Sequence, residues 1–361
     1  MRKIKIAVCY SGKTRGLEEC LHHNEKFFKT LCEKNPFEYH NYCHFWDHEK
    51  PYPYDMSLDL IKKINVLSYD SYESYERTIS ILKPVKTKTS NYNALIDMFR
   101  NDFLSRNINY KMKVMYDSLV GKYIEDKDVD IYQFVELNDE INTFVINLSQ
   151  FYGFENVVSL VETQVANGKV ICQFDIIIRL RYDTFIPMSS LDSVVNSIYT
   201  ALETNSIICN SFNSYEFFYP AGKKNLERKV TYHNNTSNLE LNTISEFQDC
   251  YGMNDISFLS TTTTMYYFAT NMTNNVSKTI SWFDKEKKML EFGAEYSWAK
   301  EANSKKIKVI SQDNCIYGSI IVRNNEQLAL LNTMIENNEP LNYDPVYWYT
   351  LRQPNIIKSL D

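Results

Sequence analysis

The chain has 361 residues, of which 44% are hydrophobic, and it carries a formal net charge of −6 with a pI near 5.7. This length and apolar content suffice for one large folded domain or two ordinary ones. The acidic balance and the lack of a long basic cluster argue against a nucleic-acid partner. No apolar run reaches the roughly 18 residues that a membrane-spanning helix needs, and the start lacks a signal-peptide pattern, so we expect a soluble cytoplasmic protein.

The eight cysteines are dispersed along the chain and include no CxxC pair. Several of them fall at apolar positions of predicted strands or helices. This pattern is typical of reduced, buried thiols in an intracellular protein.

The first segment that points to a function is IAVCYSGKTRGLEECL, residues 6–21. Its apolar start predicts a buried strand, and the apolar residues from Leu17 onward recur at helical spacing, with Glu18 and Glu19 in the first turn. Residues 11–15 therefore lie in the turn between a strand and the amino end of a helix. Open α/β sheets bind ligands at such turns, and helix amino termini favour anions.

This turn is not a phosphate-binding P-loop. The pattern GxxxxGK followed by Ser or Thr requires a glycine five positions before Gly12, but Ala7 stands there, inside the predicted strand. The remaining loop is too short to encircle a phosphate. A kinase or sulfotransferase that uses Lys13 is retained as the weakest alternative. A zinc site that includes His44 and His48 is not favoured, because the spacing matches no standard zinc finger.

The elements that follow are predicted from periodicity and turn residues. The strongest strand, FDIIIRLRYDTFIP, ends with Arg181 and Asp183 on one face, where they either meet a ligand or form an internal ion pair. The remaining predictions, in chain order, are a strand in FEYHNYCHFWDH, a helix ending near Leu82 with a strand at 84–88, a mainly helical segment at 91–164, a short strand in SIICNSF, a polar loop at 220–245, a turn, strand and helix in GMNDISFLSTTTTMYYFA, and a helix then a strand in FGAEYSWAKEANSKKIKVI.

Five short motifs occur in an order that resembles one known family. They are the Ser-Gly-x-x-Arg-Gly turn, HFWD, DIIIRLRYD, NDISFLSTTTTM and GAEYSW, spread over residues 4 to 310. In this order they resemble the polysaccharide-type glycosyltransferases of bacteria and large DNA viruses, which have a GT-A-like nucleotide-sugar-binding fold. The resemblance implies a cytoplasmic location, which is the host cytoplasm if the protein is viral.

The resemblance implies an α/β fold that is GT-A-like and Rossmann-related, with a mixed, mainly parallel sheet flanked by helices. The nucleotide-sugar-binding domain would span 1–335, with a helical segment at about 91–165. Residues 336–361 would form a carboxyl-terminal extension that packs on this domain.

The same resemblance implies a donor site. Ser11, Gly12 and Arg15 would contact the nucleotide of a UDP- or GDP-sugar, and Asp183 would be the acid of an Asp-x-Asp motif. Because Arg181 stands where a second acid is expected, two arrangements stay open. Asp183 alone would hold Mn²⁺ or Mg²⁺ bridged to the diphosphate, or Arg181 would neutralise the leaving diphosphate directly.

On the acceptor side, the resemblance makes Asp255 and Glu295 the candidates for the catalytic base. A turn residue for Asp255 and a solvated helix face for Glu295 are the alternatives. We therefore expect a glycosyltransferase that moves a sugar from a nucleotide sugar to a glycan or related acceptor. A catalytically silent protein that binds nucleotide sugars or glycans is the alternative, since the second acid is missing.

Overall fold

The computed structural model describes residues 2–12, 18–47, 72–92, 94–95, 97–98, 101, 137–161, 163–166, 169–186, 188–209, 212–218, 227–233, 239–240, 251–253, 257–279, 294–311 and 320–321. The strands are β1 Ile4–Ser11, β2 Phe37–Asp47, β3 Lys86–Asn91, β4 Thr163–Ala166, β5 Lys169–Cys172, β6 Ile176–Leu180, β7 Thr184–Phe185, β8 Ile207–Cys209, β9 Phe212–Phe218, β10 Glu227–His233, β11 Leu239–Glu240, β12 Tyr251–Met253, β13 Ser257–Thr261, β14 Val309–Ser311 and β15 Ile320–Ile321. The helices are α1 Glu18–Lys34, α2 Tyr72–Leu82, α3 Leu137–Leu160, α4 Leu191–Thr204, α5 Thr262–Ala269, α6 Met272–Thr279 and α7 Ala294–Ser304, with a 3₁₀ turn at Met188–Ser190.

The main sheet has eight strands in the order β11-β14-β8-β13-β6-β1-β2-β3. The strands β3, β2, β1 and β6 pair in parallel, and β8 pairs in parallel with β14. β13 runs antiparallel to both of its neighbours, β6 and β8, and β11 runs antiparallel to β14. Six strands therefore point in one direction and two in the other.

The central strands are apolar because helices cover both faces of the sheet. All five residues of β6 are buried, as are the last six residues of β1. A strand buried on both faces has no polar face, and a continuous apolar run is the expected sequence pattern. This explains why IIIRL is apolar except for Arg179, its fourth residue.

Two hydrophobic cores lie on the two faces of the sheet. On one face, α1 and α4 pack on side chains such as Val8 and Ile178. On the other face, α3, α5, α6 and α7 pack on Ala7, Cys9 and Ile177. The architecture is thus three layers, with helices on both sides of a mixed, mostly parallel sheet.

The structure confirms the predicted α/β class with a mainly parallel sheet flanked by helices. The mainly helical pattern predicted over about 91–164 agrees with α3, which covers 137–160, and the described residues 92, 94–95, 97–98 and 101 are also helical. The strands β3, which ends at Asn91, and β4, which begins at Thr163, lie at the two limits of this segment. Residues 102–136 and the extension 336–361 lie outside the described residues.

Two local predictions were wrong. The strand in FDIIIRLRYDTFIP, predicted to end at Arg181 and Asp183, ends at Leu180, and after a turn the chain resumes as β7. The polar loop predicted at 220–245 contains β10 and β11. β10 pairs with β9, and β11 pairs with β14, through backbone hydrogen bonds that require no apolar pattern.

In the part of the chain that the structure describes, no helix is both long and apolar enough to cross a bilayer. Among the described residues, Cys9, Cys32, Cys43 and Cys172 are free thiols.

Candidate functional site

The candidate site lies at the carboxyl ends of β1, β2 and β6, which we call the carboxyl edge. β1 pairs with β2 on one side and with β6 on the other, so the chain leaves β1 in one direction and later returns on the opposite side. Open α/β sheets bind ligands in the crevice at such a switch point. Tyr10 pairs with Leu180, so the residues that follow them, Ser11 and Arg181, lie next to each other at the carboxyl edge.

The turn after β1 depends on a glycine. Gly12 has a φ of +123°, a conformation that side chains with a Cβ rarely adopt. A Cβ built at Gly12 would have no described heavy atom within 4 Å. Gly12 is therefore required by backbone conformation, and the space beside it is open among the described residues.

Arg181 and Asp183 form a bidentate ion pair just beyond β6. Arg181 Nε donates to Asp183 Oδ1 at 3.0 Å, and Nη2 donates to Oδ2 at 3.1 Å. The side chains are 14% and 3% exposed, respectively. This is the internal pair that the sequence offered as one alternative, and a fork-shaped guanidinium matches a carboxylate in this way.

Tyr182, between these two residues, ties the ends of the central strands together. Its hydroxyl donates to the backbone oxygen of His44 at 3.0 Å. Its ring stacks on Tyr10 at 5.7 Å and on Phe45 at 5.4 Å. The turn that carries Arg181 and Asp183 is therefore held against both β1 and β2.

Helix α1 holds the other end of this turn. Asn24 is fully buried, its Nδ2 donates to the backbone oxygen of Thr184 at 2.7 Å, and its Oδ1 accepts from the backbone N–H of Ile186 at 3.0 Å. His23 stacks on Phe185 at 4.1 Å, and burial lowers the pKa of His23. β7 pairs with β15, and the Asn24 amide satisfies the backbone oxygen of Thr184 and the backbone N–H of Ile186.

A buried cation, Arg179, is the next-to-last residue of β6. Arg179 is 1% exposed, and its Cζ lies 5.5 Å from the ring centroid of Phe258 and 5.4 Å from that of Trp298. A guanidinium between two aromatic rings is stabilised by the ring quadrupoles. The charge of Arg179 is therefore enclosed in the core under α3 and α7.

Several polar atoms at the carboxyl edge are buried but have no hydrogen-bond partner among the described residues. They are Ser11 Oγ, His44 Nδ1 and Thr184 Oγ1. Each such group costs about 1–3 kcal/mol if it stays unsatisfied. A concentration of them at one place in a native structure indicates an ordered water, an ion or a functional contact.

His44 is the most constrained of these residues. It is fully buried, and its Nε2 lies 2.9 Å from Ser90 Oγ. Burial, and secondarily the charge of Lys88, lowers the pKa of His44 to about 3, so the imidazole is neutral at pH 7. Gly153 of α3 lies directly above, since a Cβ there would be 3.3 Å from His44 Nδ1 and 3.5 Å from Ser11 Cβ.

The structure brings together four of the residues predicted for the site, namely Ser11, Gly12, Arg181 and Asp183. Arg15 and Asp255 lie outside the described residues. Glu295 is the second residue of α7, and its side chain is outside the described part.

One pairing near Asp255 is informative. Ser257, the first residue of β13, pairs with Leu180, so the chain enters β13 at the carboxyl edge two residues after Asp255. The roles proposed for Asp255 and Glu295 stay predictions.

Asp183 is the residue predicted to hold a metal ion, so the state of its carboxylate oxygens bears on that prediction. Both carboxylate oxygens of Asp183 accept hydrogen bonds from Arg181. Among the residues that the structure describes, no group of three or more His, Cys, Asp or Glu side chains could hold a metal ion. These residues do not fit a Mn²⁺ or Mg²⁺ site, so no chemical step is derived through a metal, and the metal requirement stays a prediction.

From the sequence, Asn24, Gly153 and Tyr182 are not predicted as site residues. His44 enters only as a ligand of the zinc site that is not favoured. One signal was available, because Gly153 is one of only nine glycines and lies inside a helical pattern, where a glycine often marks a close approach. The partners of Asn24 and Tyr182 lie more than 100 residues away in the chain. No local pattern predicts such contacts.

Searches of protein-family models, of curated proteins and of solved structures found no match to this chain.

Proposed function

We propose that this protein is a glycosyltransferase with a GT-A-like fold, which binds a nucleotide sugar at the carboxyl edge and transfers its sugar to a glycan or related acceptor. The observation that carries the proposal is the position of Ser11-Gly12 and Arg181–Asp183 side by side at the switch point between β1 and β6. These are the residues that the family resemblance assigns to the donor site. The buried polar atoms without partners at the same edge are independent support.

In the proposed reaction, the bond between the sugar and the diphosphate breaks, with its electron pair leaving on the diphosphate. An acceptor hydroxyl forms the new bond to the sugar and gives its proton to a carboxylate base, for which Asp255 and Glu295 stay the candidates. Negative charge then builds on the departing diphosphate and must be stabilised. Arg181 is the described residue suited to this task, because a guanidinium matches phosphate oxygens. Asp183 would act as a positioning residue that holds the plane of this guanidinium.

The second candidate function is a binding protein for nucleotide sugars or glycans without transferase activity. The Arg181–Asp183 pair favours this alternative, because the acid that the resemblance assigns to a metal is engaged by Arg181.

The decisive experiment measures binding and turnover on the same protein. Thermal shift and slow donor hydrolysis are recorded against a panel of UDP-, GDP-, CMP- and dTDP-sugars, with Mn²⁺, Mg²⁺ or EDTA. A donor that stabilises the protein and is hydrolysed identifies a transferase. Binding without turnover in the presence of acceptor glycans identifies the binding protein. No stabilisation by any nucleotide sugar overturns the transferase, and no stabilisation by glycans either overturns the binding protein as well.

The Arg181→Lys variant sharpens this experiment, because lysine keeps the charge but loses the fork geometry. We expect a loss of donor affinity of about 10-fold or more, since one hydrogen bond to a charged group contributes about 1.5–3 kcal/mol. The control is Asp175→Asn, at the opposite end of β6, which should bind the donor like the wild type. Unchanged donor affinity in Arg181→Lys would contradict the role of Arg181.

A further inference from the structure

Ser11, which the proposed donor site includes, lies beside His44 and Gly153, which the proposed donor chemistry does not use. We call these three residues the niche. Ser11 and His44 are register partners on the adjacent parallel strands β1 and β2, so their side chains lie on the same face of the sheet. Gly153 of α3 lies close to both, since a Cβ there would be only 3.3 Å from His44 Nδ1 and 3.5 Å from Ser11 Cβ, and any larger residue would crowd the two polar side chains.

The two polar atoms of the niche complement each other. His44 Nε2 is engaged with Ser90 Oγ, whereas Nδ1 and Ser11 Oγ are buried and have no hydrogen-bond partner among the described residues. A neutral imidazole offers one donor and one acceptor, and a serine hydroxyl can act as either. One further oxygen atom, which donates one hydrogen bond and accepts another, satisfies both residues.

The spacing of the strands suits a single bridging atom. Neighbouring strands lie about 4.8 Å apart, which is within the span of two successive hydrogen bonds through one oxygen. A water molecule in a protein interior needs about two to four polar partners, and the niche supplies two side-chain atoms. An apolar ligand atom would leave both Ser11 and His44 unsatisfied.

We propose that the niche binds one hydroxyl-type oxygen between Ser11 Oγ and His44 Nδ1. Its source is either a resident water molecule or a hydroxyl group of the bound nucleotide sugar, and only the second source rests on the proposed function. Ser11 directly precedes Gly12, beside which the space is open among the described residues. The niche is therefore adjacent to the place where a ligand would enter.

The sign of one stability change tests the niche without any ligand. If the niche holds an oxygen, Ser11→Ala removes one of its hydrogen-bond partners, and the melting temperature falls by about 1–3 °C. If the niche is dry, Ser11→Ala removes a buried hydroxyl that has no partner, and the protein melts at the same temperature or higher. The second result excludes a resident water, and it overturns the proposal if the affinity of Ser11→Ala for nucleotide sugars is also that of the wild type.

Two isosteric changes of His44 test which ring nitrogen matters. Gln places its amide near the position of Nε2 and keeps the contact with Ser90, whereas Asn places its amide near Nδ1 and keeps the polar atom of the niche. We expect the losses of His44→Gln and Ser11→Ala to be non-additive in the double variant, because both remove partners of the same oxygen. The losses of melting temperature in His44→Asn and Ser11→Ala should be closer to additive. Additive losses for the Gln pair would contradict a shared oxygen.

Ligand affinity separates the two sources of the oxygen. If the oxygen is a ligand hydroxyl, Ser11→Ala weakens binding of the stabilising nucleotide sugar by about 10-fold, and an analogue that lacks the relevant hydroxyl binds both proteins equally. If the oxygen is a resident water, affinity is unchanged while the loss of melting temperature persists. If no nucleotide sugar binds the wild type, the proposed function fails, whereas the sign of the ligand-free change still decides the niche.

Discussion

The two ends of strand β6 differ in how their polar groups are satisfied. At the amino end, Asp175 Oδ1 accepts from Arg2 and Oδ2 accepts from the backbone N–H of Lys5, while its backbone oxygen accepts from the N–H of Thr262. One buried hydroxyl at this end, Thr262 Oγ1, has no partner among the described residues. At the carboxyl end, Ser11 Oγ, Thr184 Oγ1 and His44 Nδ1 on the neighbouring strand β2 are buried without such a partner. The charged group at the amino end is thus satisfied by the protein's own hydrogen bonds, whereas unsatisfied polar atoms are more numerous at the carboxyl end.

This difference indicates how each end is used. A protein gains nothing in stability from buried polar atoms without partners, because each one costs free energy relative to water. Such atoms are expected where a water or ligand completes the site. At the carboxyl edge they occur beside a rigid framework, formed by Asn24 and Tyr182, that holds the turn after β6 in place.

The largest expected effect comes from removing part of this framework. Asn24→Ala leaves the backbone oxygen of Thr184 and the N–H of Ile186 buried without their partner, which should cost about 3 kcal/mol of the free energy of unfolding. Urea unfolding at equilibrium measures this loss. Asn24→Asp should lose at least as much, because it places a carboxylate at a fully buried position where one oxygen faces the backbone oxygen of Thr184.

The amino end supplies the control for this comparison. Asp175→Asn keeps an oxygen for the N–H of Lys5 and loses only the ion pair with Arg2, whose side chain is 74% exposed. An exposed ion pair contributes about 0–1 kcal/mol, so the loss should stay below about 1 kcal/mol. Equal losses in the free energy of unfolding for Asn24→Ala and Asp175→Asn would mean that side-chain hydrogen bonds stabilise the two ends of β6 to the same extent.

The second effect depends on pH. Burial keeps the pKa of His44 at about 3 in the folded protein, below the ordinary value of 6.5, so the unfolded chain binds a proton that the folded protein does not. The stabilisation by neutral His44 is complete above pH 6.5 and is lost as the pH falls toward 3. Between pH 8 and pH 5 the loss should be about 2 kcal/mol.

His44→Gln isolates this contribution from those of other groups, because glutamine does not titrate. The difference in the free energy of unfolding between the wild type and His44→Gln should narrow by about 2 kcal/mol from pH 8 to pH 5. A difference that stays constant over this range would show that His44 binds a proton equally well in both states.

The smallest effect concerns the helix above the niche. Alanine is favoured over glycine in a helix by about 1 kcal/mol, but a Cβ at position 153 would lie 3.3 Å from His44 Nδ1. Ser90 and the ring of Trp46 hold His44 in place, so crowding should outweigh propensity and Gly153→Ala should lose about 1 kcal/mol.

A second helix provides the reference for propensity alone. Asn196→Ala, at an exposed position of α4, should gain a few tenths of a kcal/mol in the same unfolding experiment. If Gly153→Ala were also more stable than the wild type, α3 would have room to move away from β1 and β2, and the close approach would not be a constraint.

The first half of the fold was largely predictable from sequence. β1, α1 and β2 were predicted as elements because an apolar strand run, a helical period and an alternating pattern are local signals. The strands β10 and β11 were missed, because they pair through backbone groups with β9 and β14 and carry no distinctive pattern. The strand break after Leu180 was missed because long-range contacts of Tyr182 and Asn24 hold the turn.

By itself, the sequence determined the α/β class, the first strand-turn-helix unit and the position of Ser11 and Gly12 after a buried strand, because each of these depends on neighbours within a few residues. Only the tertiary structure decided that Arg181 pairs with Asp183 rather than pointing outward, that His44 faces Ser11, and that Gly153 covers both of them. Those choices depend on the order of strands in the sheet, which brings together residues that are far apart in the chain.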